Sequence, residues 1–381
     1  MIYFDNAATS SPKPKEVKEA VAGALQRLSA NPGRSGHELS IAASDAVYQC
    51  RAALADMFRF PAPERIVFTL NCTHSINTVL KGLRLKNCKI VTSSLEHNAV
   101  MRPLEKLKKN GCTIAVAEVF FDDPEATVRS FARLIDDNTR LVICTHASNV
   151  CGVVLPIEQI GRLCKDRGVL FAVDAAQSAG VIPIDCSAVP IDFLCIPGHK
   201  GLYGPMGTGV LFCKSDLPDT LTEGGTGNFS ASFVQPEDYP ERFESGTVNL
   251  PGIVGLKAGV DFVQKKGVER IHQYEMQLLQ TTYRGLKQTR GVTLYTPYPD
   301  TERYVPVLCF NVAGLHSSQT AELLNKAGYA LRAGLHCAPT AHRRMGTLSY
   351  GAVRMSPSIF NHPKEIYSFL QSVKRIAKSA S

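Results

Sequence analysis

The sequence predicts an α/β fold, with a mostly parallel seven-stranded sheet between helices in a large domain and a smaller α/β domain after it. Two observations indicate this fold. Between residues 66 and 213, short runs rich in Val and Ile alternate with amphipathic stretches of helical period. Runs that are apolar throughout are typical of parallel strands buried on both faces. The length of 381 residues also favours two domains, because one hydrophobic core seldom grows that large.

The predicted strands of the large sheet are the apolar runs themselves. They are Ile66–Phe68, Lys89–Thr92, Thr113–Val116, Leu141–Thr145, Val169–Val173, Phe193–Ile196 and Val210–Cys213. Helical patterns between them are clearest at Ala99–Lys109 and Ile157–Arg167. Ligands of such sheets bind beyond the carboxyl ends of the strands, so polar residues that directly follow these runs are the candidates for a functional site.

The C-terminal part of the chain has a different pattern. Beyond Glu223, the Gly-rich segment GGTGNFSAS leads to a long helical stretch from about Ile253 to Thr289. Strands are then predicted near Val305–Val312, Ala330–Arg332 and Ala352–Met355, with a final helix from Pro363. We therefore predict an N-terminal arm over 1–15 that packs with the small domain, a large domain over 16–255 and a small domain over 256–381.

Composition excludes several classes of protein. The hydrophobic fraction of 44% and charged fraction of 20% are ordinary for a globular chain. The net charge of +8 is spread along the sequence, so we expect no nucleic-acid partner. The start, MIYFDNAATSSPKPKEV, lacks the features of a secretory signal, and no apolar run is long enough to cross a membrane. Twelve cysteines without a CxxC pair suit reduced thiols, which predicts a cytoplasmic protein.

Two groups of Cys and His residues lie close enough in sequence to be considered as metal ligands. Neither group has the spacing of a zinc finger or zinc ribbon, so we expect no metal site. The groups are Cys144, His146 and Cys151, and His336, Cys337 and His342.

The most informative residues are Asp174, which ends the run VLFAVD, and Lys200, in the segment PGHKGLYGP. Pyridoxal-phosphate chemistry needs a lysine amine for a Schiff base and a carboxylate that faces the pyridine nitrogen. Residues at the ends of neighbouring strands can supply both. Taken alone, Asp174 could be a helix N-cap and Lys200 a surface lysine. The segment NCTHSIN begins a predicted helix after the first strand, and a helix N-terminus with hydroxyl residues is suited to phosphate.

The full set of motifs is more specific than any one of them. The segments DNAAT, EHNA, ASNVCG, FESGTVN and RAGLHCA join those above in an order that extends from Asp5 to Arg354. In this order they resemble the class V aminotransferase family of fold-type-I pyridoxal-phosphate enzymes. Within the family, the chain is similar to cysteine desulfurases and selenocysteine lyases with a short active-site loop.

The resemblance implies a cofactor site. Lys200 matches the Schiff-base lysine, and Asp174 matches the partner of the pyridine nitrogen. Gln177 corresponds to the residue that hydrogen-bonds the phenolic oxygen of the cofactor. His97 corresponds to the histidine that stacks on the ring and moves protons, although without the motif it could be a core histidine. The implied phosphate ligands are Thr73, the backbone of His74, His199 and, from the other subunit of a homodimer, Thr247.

The resemblance also implies a substrate site. Asn149 and Arg354 match residues that hold the substrate carboxylate, a task for which the planar guanidinium is well suited. Without the motifs, Asn149 would be a turn residue and Arg354 a member of a surface ion pair. His37, in GRSGH, and Arg332 also fall at active-site positions of the family.

Cys337 carries the prediction of a particular reaction. An aminotransferase needs no thiol, whereas a desulfurase needs one to attack the sulfur of its substrate. The thiolate is the reactive form and benefits from positive charge and exposure. Arg332 and His336 are close in sequence, and Gly334 gives the loop freedom. The alternative is that Cys337 is one more buried cysteine.

Three departures from the family pattern concern the cofactor site. Cys72 precedes Thr73 where a Thr-Thr pair is usual, which removes one hydroxyl. Pro197 replaces a common Ser and lacks an N–H. Gly201 is an extra residue between HK and LYGP. These changes place the chain in a divergent branch of the family.

We therefore predict a homodimeric pyridoxal-phosphate enzyme that converts L-cysteine to L-alanine. Its sulfur would pass through a Cys337 persulfide to an acceptor protein, as in iron–sulfur cluster assembly. Three alternatives remain. They are a selenocysteine lyase, a class V aminotransferase without desulfurase activity, and a catalytically silent scaffold.

Overall fold

A computed structural model describes residues 1–33 and 36–380 and confirms the predicted fold class. A seven-stranded sheet forms the centre of the larger part, and a four-stranded sheet forms the smaller, C-terminal part. The strands are β1 Ile2–Tyr3, β2 Ile66–Thr69, β3 Lys89–Ser93, β4 Thr113–Ala117, β5 Thr139–Thr145, β6 Leu170–Asp174, β7 Phe193–Pro197, β8 Gly209–Cys213, β9 Val292–Leu294, β10 Leu308–Val312, β11 Tyr329–Ala330, β12 Arg332–Gly334 and β13 Ala352–Met355.

The helices of the larger part lie mostly between successive strands, and those of the smaller part cover its sheet. The helices are α1 Lys15–Arg27, α2 Glu38–Met57, α3 Cys72–Gly82, α4 Asn98–Leu107, α5 Pro124–Leu134, α6 Ile157–Asp166, α7 Leu250–Lys266, α8 Val268–Lys287, α9 Ser317–Lys326, α10 Pro339–Arg344 and α11 Pro363–Ala380.

The large sheet has the order β2-β8-β7-β6-β5-β3-β4. The pairs between β7 and β4 are parallel, whereas β8 is antiparallel to both of its neighbours. Strand β2 therefore runs in the same direction as β7. As a result, six of the seven strands end at one edge of the sheet, and the loops after them meet there.

Both faces of the sheet are covered, as the apolar runs predicted. Alternate side chains of a strand point to opposite faces. On β5, Val142 belongs to one hydrophobic cluster, and Leu141 and Ile143 belong to another. Residues of α3 and α4 complete the second cluster, and residues of α2, α5, α6 and α7 complete the first. The sheet is thus packed between two hydrophobic layers, and the loops meet at its edge between them.

The helical stretch predicted from about Ile253 to Thr289 is confirmed, but it consists of two helices. Gly267 adopts a φ of +85°, which ends α7 before α8 begins. The small sheet has the order β12-β13-β10-β9 and is antiparallel. Strand β1 pairs in parallel with β11. The division into an arm and two domains at residues 15 and 255 stays a prediction.

The described residues contain no helix long and apolar enough to span a bilayer. Across 1–33 and 36–380, no group of three or more His, Cys, Asp or Glu side chains is arranged to hold a metal ion. All twelve cysteines are free thiols. Eleven of them are buried, and Cys337 is exposed.

Candidate active site

Four neighbouring parallel strands bring the central candidates together. In sheet order, β3, β5, β6 and β7 are adjacent. His97 follows β3, Asn149 follows β5, Asp174 is the last residue of β6, and Lys200 follows β7. Sequence positions more than 100 residues apart are therefore joined because their strands end side by side.

A cavity of about 520 Å³, including its space open to solvent, lies at this edge of the sheet. A volume of several hundred Å³ is typical of a small-molecule site. Seven residues predicted from the sequence line it. They are Thr73, His97, Asn149, Asp174, Gln177, His199 and Lys200.

Lys200 presents its amine in this cavity without a fixed partner. Its side chain makes no hydrogen bond or ion pair with any residue of the described ranges. Burial lowers the pKa of Lys200, and the Asp174 carboxylate opposes that shift. Asp174 itself is 3% exposed, and its Oδ1 accepts hydrogen bonds from the Ala176 N–H at 2.9 Å and the Cys72 thiol at 3.4 Å. An amine of lowered pKa is suited to nucleophilic attack and to proton transfer.

His97 is fixed by the start of α4. It is the N-cap residue, and its Nδ1 accepts a hydrogen bond from the Ala99 N–H at 3.0 Å. In the neutral ring, Nε2 therefore carries the proton. Burial lowers the pKa of His97, while the charge of Asp174 acts in the opposite direction. The imidazole is thus held in one orientation and favoured in its neutral form.

The cavity also has features that suit an anion. It lies at the N-terminus of α3, where backbone N–H groups and the helix dipole favour negative charge. Nδ1 of His199 is buried and has no hydrogen-bond partner within the described residues. Burial lowers the pKa of His199 to about 4. The N–H of His74, however, is already donated to Oδ1 of Asn71 at 2.9 Å. The His74 N–H, which the family resemblance implies as a phosphate ligand, is therefore already engaged in a hydrogen bond within the chain.

Gln177 and His199, which directly precedes Lys200, are hydrogen-bonded to the N-terminal arm. Nε2 of Gln177 donates to the Ala7 carbonyl at 3.0 Å. Nζ of Lys13 donates to the carbonyl of His199 at 2.8 Å. The arm therefore packs against two residues that line the cavity.

Arg354 and Asn149 are joined by a hydrogen bond, and the side chain of each also binds another residue. Nη1 of Arg354 donates to the backbone carbonyl of Asn149 at 3.0 Å, and Nη2 pairs with Asp5. Arg354 is only 1% exposed, and its Nε has no hydrogen-bond partner within the described ranges. The ion pair with Asp5 was not foreseen, although Asp5 opens the DNAAT motif. Binding of a carboxylate by this guanidinium stays a prediction.

Cys337 is exposed on a loop that two other motifs hold in place. Its carbonyl accepts a hydrogen bond from the Asn98 N–H at 2.7 Å. The carbonyl of His336 accepts one from Nδ2 of Asn149 at 2.8 Å. Both loop residues have positive φ values, +50° for His336 and +56° for Cys337, which cost backbone energy in residues other than glycine. The loop therefore keeps its shape because contacts to the large sheet enforce it.

The environment of the thiol matches that of reactive cysteines. Nη2 of Arg332 lies 3.9 Å from Sγ of Cys337. Exposure together with an adjacent cation is the setting in which cysteine nucleophiles occur. Cys337 also lines an open groove that shares Thr73, His97 and Ala99 with the lysine cavity. Its sulfur thus stands at the mouth of the cavity.

Six predicted residues do not line the cavity, namely His74, Arg354 and Cys337, described above, and Thr247, His37 and Arg332. Thr247 is exposed on the surface of the chain. His37 is exposed as the N-cap of α2, where its Nδ1 accepts from the Ser40 N–H. Arg332 contacts Cys337 rather than the cavity. The roles proposed for Thr247 and His37 need a second subunit or a bound molecule, and they stay predictions.

Glu96, which lies beside His97 in the EHNA segment, was not among the residues predicted for the site. Its side chain is fully buried, and its Oε1 accepts hydrogen bonds from Ser93 and the Thr145 N–H. Its Oε2 has no partner within the described residues. Burial raises the pKa of Glu96 to about 8, against the effect of these hydrogen bonds. A buried residue of this kind can be recognised only once the tertiary structure is known.

The sheet order and the Lys200–Asp174 pair at its carboxyl edge define a fold-type-I α/β protein. The chain belongs to the aminotransferase class-V family, whose sequence profile matches residues 2–369. Members of this family depend on pyridoxal phosphate.

Individual relatives agree along almost the whole chain. A probable cysteine desulfurase from Pyrococcus abyssi is 35% identical, and the match covers 100% of this chain and 95% of the relative. The apo structure of a cysteine desulfurase from Thermococcus onnurineus NA1 matches with a TM-score of 0.92 at 35% identity, over 99% and 95% of the two chains. The S-sulfonic acid form of the cysteine desulfurase CsdA from Escherichia coli matches with a TM-score of 0.88 at 27% identity, over 99% and 94%.

Proposed function

We propose that this protein is a pyridoxal-phosphate-dependent cysteine desulfurase that converts L-cysteine to L-alanine and transfers the sulfur to Cys337. One observation carries the proposal. The exposed thiol among twelve cysteines is the one at the mouth of the cavity that holds Lys200 and Asp174. An amino-group transferase has no use for a thiol at this point.

The residues of the cavity fit pyridoxal phosphate. Lys200 offers an amine with no hydrogen-bond or ion-pair partner among residues 1–33 and 36–380, and Asp174 is a buried carboxylate for the pyridine nitrogen. Nδ1 of His199, to which no described residue is hydrogen-bonded, and the N-terminus of α3, with the Thr73 hydroxyl, suit the phosphate. Gln177 and His97 would contact the ring. When bound, the cofactor joins the amino group of the substrate and stabilises negative charge at its Cα.

The protein's own groups would supply the remaining chemistry. Arg354 and Asn149 would hold the carboxylate of cysteine, which orients the Cα–H toward Lys200. Lys200, with its lowered pKa, would accept the Cα proton as a free amine. His97, neutral and with the proton on Nε2, would move a proton at the substrate.

The sulfur step balances without an external oxidant. The Cys337 thiolate would attack the sulfur of the substrate, so that one S–S bond forms as the C–S bond breaks. Protonation of the carbon released from sulfur, and return of a proton from Lys200 to Cα, would then yield alanine. The products are one alanine and one persulfide on Cys337 for each cysteine consumed. A thiol of an acceptor protein, such as one that serves iron–sulfur cluster assembly, would take the outer sulfur.

The test of the activity is product analysis. With L-cysteine and dithiothreitol as reductant, the wild-type protein should form alanine and sulfide in equal amounts. An aminotransferase would instead need a keto acid and would be indifferent to Cys337→Ala. A selenocysteine lyase would act on selenocysteine in preference, and Cys337→Ala would leave that activity in place, because selenium departs without a thiol. Alanine formation from cysteine that survives Cys337→Ala unchanged would overturn the assignment of the nucleophile.

We further propose a homodimer in which Thr247 reaches the phosphate of the neighbouring subunit. The support is that Thr247 is exposed and lines no part of its own cavity. A twofold interface repeats such a contact in both directions. Mixing the inactive variants Lys200→Ala and Thr247→Ala should restore part of the activity, because one kind of mixed site contains both residues. No recovery on mixing would contradict a shared site.

A further inference from the structure

The groove that begins at Cys337 continues away from the lysine cavity, between α3 and α4. Its volume, including the space open to solvent, is about 1740 Å³, more than three times that of the cavity. The proposed reaction on cysteine does not require so large a space. Cysteine is consumed inside the cavity, and the groove lies outside it.

The groove is strongly positive. Six cationic side chains line it, and Asp219 is the carboxylate among its lining residues. The chain as a whole has a formal net charge of only +8, so much of that excess is concentrated here. The six cations, all exposed, are Lys81, Arg84, Lys86, Arg102, Lys106 and Lys109.

Most of this charge is not neutralised by ion pairs within the part of the chain that the structure describes. Arg84 pairs with Asp219 at 2.9 Å. The other five cations form no ion pair with any residue in 1–33 or 36–380. Elsewhere, exposed basic residues such as Arg162 and Lys326 have carboxylate partners one helical turn away. A run of unpaired cations on one surface raises the local concentration of anionic partners and speeds their association.

The position of the groove indicates which partner would use it. It starts at the thiol that would carry the persulfide and follows α3, whose eleven residues span about 16 Å. A protein whose acceptor thiol reaches Cys337 would lay the adjoining segment along these cations. Opposite charge on that segment would bring the acceptor to the correct end of the groove.

We infer that the groove between α3 and α4 docks an acidic segment of the sulfur-acceptor protein, which places the acceptor's thiol at Cys337. This inference rests on the proposed desulfurase function. The transfer balances: the acceptor thiolate attacks the outer sulfur of the persulfide, a new S–S bond forms on the acceptor, and the Cys337 thiolate leaves. No oxidant or reductant is required.

The experiment uses three synthetic peptides as acceptors for the full-length protein loaded with cofactor. Each has one cysteine followed by a segment long enough to span α3, rich in Glu, in Gln or in Lys. Sulfur transfer to each peptide is measured by mass spectrometry while alanine release is followed. At low salt, the Glu peptide should react about tenfold faster than the Gln peptide, and the Lys peptide more slowly. High salt should abolish the difference.

A matched pair of variants locates the effect. Lys81→Glu/Lys106→Glu/Lys109→Glu reverses three charges in the groove and should remove the advantage of the Glu peptide. Lys364→Glu/Lys374→Glu/Lys378→Glu makes the same change in charge on the exposed face of α11, outside the groove, and should retain it. Both should form alanine at the wild-type rate with dithiothreitol, since none of the six lysines lies in the proposed catalytic machinery.

The outcomes distinguish a failure of the proposed desulfurase function from a failure of the docking groove. An absence of alanine with dithiothreitol would refute the proposed function itself. Alanine formation with equal rates for the three peptides, or equal effects of the two triple variants, would refute the docking groove alone. Sedimentation velocity tests whether a second copy of the chain occupies the groove instead. If the wild type is a dimer and only the groove variant is a monomer, the groove is a subunit interface and the inference is overturned.

Discussion

The lysine cavity and the Cys337 loop adjoin each other but are built in opposite ways. The cavity lies at the ends of buried parallel strands, and burial lowers the pKa of Lys200, His97 and His199. The loop belongs to the small C-terminal part and exposes its thiol. Hydrogen bonds from Asn98 and Asn149 hold it against the cavity.

The difference indicates a division of labour. Proton transfer needs groups of shifted pKa in fixed positions, and burial at the edge of the sheet provides them. A sulfur carrier has to meet the substrate on one side and an acceptor on the other. An exposed residue at the mouth of the cavity meets both requirements. Variants that affect one region without the other test this interpretation.

The largest expected effect is that of Lys200→Ala. Without the amine, both the attachment of the cofactor and the acceptance of the Cα proton are lost, so alanine formation should fall by about four orders of magnitude. Alanine is measured after incubation with L-cysteine. The control is Lys214→Ala, which removes an exposed lysine just after β8. Substantial activity in Lys200→Ala would refute the cavity as the catalytic centre.

The second effect is that of Cys337→Ala. Turnover of cysteine should fall by about three orders of magnitude, because the nucleophile is absent. The absorption spectrum of the bound cofactor and its change on adding cysteine should remain, since the cavity is intact. Leu335→Ala, at an exposed neighbouring position, is the control for disturbance of the loop. A loss of the spectral change in Cys337→Ala would show that the two regions do not act separately.

The third effect concerns stability rather than activity. Burial raises the pKa of Glu96 to about 8, so the folded protein retains a proton that the unfolded chain releases near pH 4.5. The free energy of unfolding should therefore decrease as the pH rises from about 5 to 8, by up to about 1.4 kcal/mol per pH unit from this group. In Glu96→Gln this part of the decrease should vanish.

Urea unfolding at several pH values measures that dependence. The control is Glu269→Gln, which changes an exposed carboxylate at the start of α8. The expected result is a flatter profile for Glu96→Gln and a wild-type profile for the control. Identical slopes in all three proteins would mean that Glu96 is ionised in the folded state.

The smallest effect is expected for Thr340→Val. The hydroxyl of Thr340 donates to the Glu96 carbonyl at 3.1 Å and ties the segment after Cys337 to the large sheet. Its loss should cost about 1 kcal/mol of stability. Alanine formation should fall several-fold, with the cofactor spectrum unchanged. Thr281→Val removes a comparable hydroxyl bond within α8, and its activity should equal that of the wild type.

The sequence predicted the frame of the fold because its strands are continuous apolar runs. Asp174 and Lys200 could be placed at strand ends, and parallel topology then brings such ends together. The break at Gly267 was missed because the apolar pattern continues across it, and only the left-handed backbone ends the helix. Glu96 was missed because a carboxylate in sequence carries no sign of its burial.

The motifs predicted which residues form the candidate site, but not all of the contacts that these residues make. They indicated the residues that line the cavity, but not that Asn71 occupies the N–H of His74 or that Asp5 pairs with Arg354. Those contacts depend on cap geometry and on the packing of the N-terminal arm. Neither the motifs nor the structure of a single chain describes the contacts of Thr247 in the active site, since its proposed partner is in a second subunit.

The most direct test of Cys337 as the sulfur carrier is to follow the sulfur through one turnover. The protein, loaded with pyridoxal phosphate, is mixed with a single equivalent of L-cysteine, then digested and examined by mass spectrometry without reductant. We predict that one alanine is released and that one additional sulfur atom is found on the peptide that contains Cys337. Alanine with the sulfur on another cysteine, or a keto acid in place of alanine, would contradict it.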